Sequence, residues 1–115
     1  MIRIEGTVER TELTLFRPIE PVTSGCRNSV SLHLSFSKSW ETYSERYVEF
    51  RTPRGLVCRE AVSHTGACVL PDAITEESGV VEVSVIGICR QKNGADATVA
   101  TERMTLAVAR GAGEG

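Results

Sequence analysis

The sequence predicts an all-β fold, an antiparallel sandwich of about seven strands, and three observations carry that prediction. Apolar and polar residues alternate with period 2: Val30, Leu32, Leu34 and Phe36 fall on one face, against Ser29, Ser31, His33, Ser35 and Ser37 on the other. Turn chemistry sits between such runs, at Thr52-Pro53-Arg54-Gly55 and at Asn93-Gly94. Nowhere does a helical period last long enough to make the crossover that a parallel βαβ unit requires.

Taken in order, Ile2, Ile4 and Val8 share one parity while Leu13 and Leu15 share the other. Residues 2–15 are therefore one strand with a bulge or a sheet switch near Glu9 and Arg10. Arg17 to Asn28, with Pro18, Pro21 and Ser24-Gly25, is a loop. Strands follow at 29–37 and 45–52, the second with Val48 and Phe50 inward against Glu49 and Arg51. Pro53 and Gly55 in a type I turn join it to a strand at 56–62. A short strand at 67–70 precedes the one helical candidate, near 72–78, with Asp72 as N-cap and Gly79 as the stop. Residues 80–91 place Val81, Val83, Val85 and Cys89 on one face and Glu82, Ser84, Ile86 and Ile88 on the other. Asn93-Gly94 turns that strand into the last, 97–109, where Met104, Leu106 and Val108 alternate with Arg103, Thr105 and Ala107. Two facing sheets of immunoglobulin-like type bury these faces most economically. The antibody disulfide is excluded on paper: Cys26 precedes one strand and Cys89 ends another, roughly 30 Å apart at about 3.3 Å per residue.

With 115 residues the chain is one domain, residues 1–110, followed by a Gly-rich tail at 111–115. A formal charge of -2, with 13 basic residues scattered along the chain, argues against a nucleic-acid partner. The N-terminus, MIRIEGTVER, has no apolar leader core, and no run is apolar enough to cross a bilayer as a helix, so no membrane partner is expected.

Constellations that carry chemistry are missing from the sequence, and the expectation is a protein that is not an enzyme. Cys26, Cys58, Cys68 and Cys89 form no C-x-x-C pair and have no histidine at ligand spacing, so they read as reduced, mostly packed thiols with no metal. Cys58 and Cys68 flank the Ser-His-Thr-Gly turn at His64. A Cys–His dyad there needs a lowered thiol pKa and a base in reach, for which sequence proximity is no evidence; a cross-strand disulfide stays open in an oxidising compartment. His33 and His64 are read as solvent-facing or hydrogen-bonding, and Glu76-Glu77 with Asp72 as a solvated turn without calcium-loop spacing. No cofactor site is expected. The partner-surface candidates are Ile86 and Ile88, apolar on an otherwise polar face, and Trp40 and Tyr43, aromatic residues in a polar connection that could instead cap the core.

From Ser31 to Val108 the chain resembles the immunoglobulin-like N-terminal domain of phage baseplate upper proteins and related small phage tail- or head-associated structural proteins. The residues that carry the likeness are Trp40 before a strand ending in Phe50 and a turn at Gly55, and the step Leu70-Pro71-Asp72-Ala73-Ile74 with Ser78-Gly79. Val81, Val83, Val85 and Gly87 follow, then Thr101 and Val108. The resemblance implies a virion protein without catalytic residues, made in the host cytoplasm. It would dock onto a tail, baseplate or capsid, with other virion proteins and copies of itself as partners. The competing expectation is a freestanding carbohydrate- or protein-binding sandwich with Trp40, Tyr43 and His64 as a shallow ligand surface.

Overall fold

A computed structural model describes residues 2–18, 21–25, 30–92 and 94–111. Among the described residues nine strands form, in chain order: β1 Ile2–Glu9, β2 Glu12–Leu15, β3 Val30–Phe36, β4 Glu45–Arg51, β5 Val57–Ala61, β6 Ala67–Val69, β7 Gly79–Cys89, β8 Ala97–Ala100 and β9 Met104–Val108. A 3-10 turn spans Lys38–Trp40, and α1 covers only Asp72–Thr75. The sheets are four-stranded, β2-β1-β3-β6, and five-stranded, β5-β4-β7 followed by β8 and β9, which share the second edge of β7. Pairing of β3 with β6, β4 with β7, and β7 with β8 and β9 is the immunoglobulin-like wiring.

Two predicted strands are each divided, which accounts for nine against about seven. The parity change near Glu9 is a hairpin, not a bulge or sheet switch: β1 and β2 pair from Glu9↔Glu12 to Gly6↔Leu15, across a two-residue turn. Arg10 there takes φ 52° without being glycine, a conformation that persists only when its surroundings enforce it. They do. The Trp40 indole N–H donates to the Arg10 carbonyl at 2.8 Å, and the Arg10 N–H donates to Ser39 Oγ at 3.1 Å.

The second division is a bulge. Between Ile86↔Ala100 and Val83↔Met104, β7 advances through Ser84 and Val85 while the partner advances through Thr101, Glu102 and Arg103. Buried Thr101 fills the gap, its N–H donating to the Val85 carbonyl and its Oγ1 accepting from the Val85 N–H, both at 2.9 Å. The extra residue flips the parity from Val99 to Met104 and turns the Glu102 N–H out to the Thr11 carbonyl, 2.9 Å away in the other sheet.

The sandwich is not wholly antiparallel. β1 and β3 run parallel, from Ile2↔Val30 to Val8↔Phe36. A parallel pair needs a crossover, and here β2 and the segment after it supply one. Thr23 bridges Ala109 in parallel at the end of β9, with Ala109 N–H donating to the Val22 carbonyl at 2.7 Å and Ser24 N–H to the Ala109 carbonyl at 2.8 Å. The predicted loop thus holds a short stretch of pairing, while Ile19, Glu20 and the stretch from Cys26 to Ser29 lie outside the described residues.

The hairpin at Pro53–Gly55 forms as expected, joining β4 and β5. After β7 the connection runs from residue 90 to residue 96 before Cys89↔Ala97 closes the pair, longer than a two-residue Asn-Gly turn; Asn93 itself lies outside the described residues. Pro71, not Asp72, is the N-cap of α1, and Gly79 already belongs to β7. Between the sheets the core packs Ile4, Val8, Leu32, Trp40, Val48, Phe50, Val81, Val83, Val85 and Leu106, each such side chain contributing about 1.5–3 kcal/mol by leaving water.

Candidate interaction surface

Register places the outward residues of the five-stranded sheet in rows across it. Tyr47, Ile86 and Ala100 form one row and Glu45, Ile88 and Thr98 the next. Ile86 and Ile88 stand on the central strand and are half-buried by their neighbours. Ion pairs surround this apolar strip. Arg59 meets Glu49 at 3.1 Å, Arg103 meets Glu82 at 3.2 Å, and Arg90 reaches both Glu45, at 2.5 Å, and Asp96, at 2.6 Å. The Arg90 guanidinium, and then the Tyr47 hydroxyl at 3.1 Å, hold the Glu45 carboxyl below its usual range; Glu45 and Asp96 in turn favour the charged form of Arg90.

Trp40 and Tyr43 belong to a different place, the end of the sandwich beside Arg10. Trp40 is 1% exposed, so its ring offers no surface to a partner. Its ring centroid lies 5.4 Å from that of Phe36 and 5.5 Å from that of half-buried Tyr43. Arg46 stacks its guanidinium 4.3 Å from the Phe36 ring centroid and donates to the carbonyls of Trp40, at 2.8 Å, and Tyr43, at 3.0 Å. Gly87 makes room: a Cβ there would stand 2.6 Å from the Trp40 ring. The cluster closes the core, the alternative role that the sequence left open for Trp40. Arg46 escaped sequence reasoning because at the strand's first residues an inward parity and a charged side chain give opposite signals.

The remaining expected groups are scattered. His33 is half-buried with Nε2 at 2.9 Å from Ser31 Oγ, and His64 is exposed in its turn. Cys58, Cys68 and Cys89 are free thiols, and Cys26 lies outside the described residues. Cys58 and Cys68 stand on edge strands of opposite sheets. Burial, and then the Glu60 carboxylate, push the Cys68 thiol from 9.0 up to about 12, which keeps it protonated and a poor nucleophile. Among the described residues no three His, Cys, Asp or Glu side chains gather as metal ligands, and no helix is long and apolar enough to cross a membrane.

Sequence reasoning missed one further feature, a cleft of about 520 Å³ where β2 and β9 flank the open side of the sandwich. Its walls include Ile4, Leu15, Phe16, Pro18, Pro21 and Leu106, with Arg17 at the same site. The one hint was Phe16, an apolar residue just past a strand, which is 53% exposed. Comparison with protein-family models and with curated proteins gives no match.

Proposed function

We propose that this chain is a non-enzymatic docking module of a phage particle, a small sandwich that attaches to a tail, baseplate or capsid during assembly. The observation that carries the docking part is the strip of Tyr47, Ile86 and Ile88 on the outer face of the five-stranded sheet, ringed by ion pairs. An apolar centre within a charged rim is the usual anatomy of a protein interface. The virion part rests on the sequence resemblance of residues 31–108. Repetition in a symmetric particle would multiply a weak contact of this size by avidity. The freestanding carbohydrate-binding alternative loses its platform, because the Trp40 ring is enclosed in the core.

The test substitutes Ile86→Lys and Ile88→Lys, which change the outer face and leave the inward Val81, Val83 and Val85 untouched. Each variant should unfold within about 1 kcal/mol of the parent yet fail to co-sediment with assembled particles. Normal incorporation of both would sink the assignment. Trp40→Lys is unsuited to this purpose, since a charge buried at that position unfolds the domain.

A further inference from the structure

The edge of β9 has hydrogen-bonding capacity that no described residue uses. At Ala109 both backbone groups point away from β7, toward Val22 and Ser24. Orientation alternates along an antiparallel strand, so Ala107 and Thr105 turn their N–H and C=O groups to the same side, and no described residue bonds them. The gap is bounded above by the Glu102–Thr11 bond and below by the Ala109–Val22 bond. It opens on the 520 Å³ cleft, several times the roughly 150 Å³ cavity that takes up one benzene.

We infer that this edge receives an extended segment of another protein, which adds a strand beside β9 and buries alternate apolar side chains in the cleft. The inference deepens the docking reading above and rests on it for the nature of the partner. Free backbone donors and acceptors at strand spacing specify a peptide in β conformation, because an unpaired backbone group is met only by another backbone or by water. The apolar side chains in the lining, Ile4, Leu15, Phe16 and Leu106, specify aliphatic or aromatic residues at alternate positions, since successive residues of a strand face opposite sides. Arg17, exposed and without an ion pair among the described residues, specifies a carboxylate near one end.

One other occupant fits less well. A second copy pairing through its own β9 would leave the cleft empty, because its Met104, Leu106 and Val108 already pack in its own core.

Amide hydrogen exchange by NMR on the full chain tests this, with a synthetic pool of peptides as probe: Val, Ile, Leu or Phe alternating with Thr, ending in Asp. In the free chain the Thr105 and Ala107 amides should exchange quickly while those of Leu106 and Val108 are protected. Added peptide should slow the first two by about tenfold or more. Ala107→Pro removes an N–H that β7 does not use and should abolish the slowing in a folded chain; Phe16→Asp should weaken it. Slow exchange of Thr105 and Ala107 in the free monomer would show an edge already closed by the chain itself and overturn the inference. So would protection appearing equally at β5, or nowhere. Ile86→Lys lies away from the edge and should keep the peptide effect, so failure of the docking face and failure of the edge give separate results.

Discussion

The two flanks of the sandwich present edge strands in opposite ways. On one, β5 turns the backbone groups of Val57, Arg59 and Ala61 outward, as the Val62–Arg46 and Thr52–Leu56 bonds dictate. That edge is guarded: Arg59 is ion-paired to Glu49, and half-buried Glu60 faces inward. An arriving strand would have to bury or displace both charges, which is how natural sheets discourage edge-to-edge pairing. On the other flank, Met104–Val108 carries no charge and no proline, and it borders a cleft of mixed lining in which apolar side chains predominate. Two edges of similar length in one sheet thus differ in what they invite. The difference lies in side chains and in what closes the space beside them, not in the backbone.

Paired core truncations break or sharpen the comparison most strongly. Leu32, 2% exposed and paired with Cys68 on the guarded flank, and Leu106, 8% exposed beside the cleft, are both core leucines. Leu32→Ala should cost about 4–5 kcal/mol and Leu106→Ala about 2 kcal/mol, because a site open to the cleft loses fewer contacts and relaxes more readily. Urea unfolding measures both, and equal losses would mean that the cleft is closed in solution.

A smaller effect is expected from removing the guards. The double variant Arg59→Thr, Glu60→Val should change stability by no more than about 1 kcal/mol, since the exposed ion pair contributes little, while association becomes concentration-dependent in sedimentation velocity. A chain that stays monomeric would show that the β5 edge is protected by something other than charge.

The smallest effect is confined to alkaline pH. The folded-state pKa of Cys68 is raised, so its contribution is complete below about 9 and is lost as pH rises toward about 12, where the unfolded chain ionises first. The stability gap between the parent and Cys68→Ala should hold steady at neutral pH and narrow once pH passes about 9. A constant gap would mean that water reaches this thiol and that the β6 flank is less sealed than its burial indicates.

Much of the fold was legible in the sequence because period-2 alternation reports directly which residues face the core. Val30 to Phe36, Val48 with Phe50, and Val81 to Val85 are inward where alternation puts them. The hairpin at Arg10–Thr11 was not legible, because its turn lacks glycine or asparagine and is held by Trp40 and Ser39, some thirty residues away in sequence. The bulge at Thr101–Arg103 left only a parity change between Val99 and Met104, with no residue to mark where the ladder slips. Of the candidate surface, Ile86 and Ile88 could be read as outward and apolar, whereas Trp40 could not be assigned to core or surface until Arg46, Phe36 and Gly87 surrounded it.

By itself the sequence determined the strand faces, the all-β class and the short helix, since alternation and local turn chemistry are properties of neighbouring residues. Tertiary structure alone decided that β1 runs parallel to β3, that Val22–Ser24 closes one end of β9, and that no described residue pairs with the middle of that edge. The reason is physical: strand direction and edge closure depend on backbone hydrogen bonds between segments far apart in the chain, and every residue's N–H and C=O are alike until packing brings a partner to them.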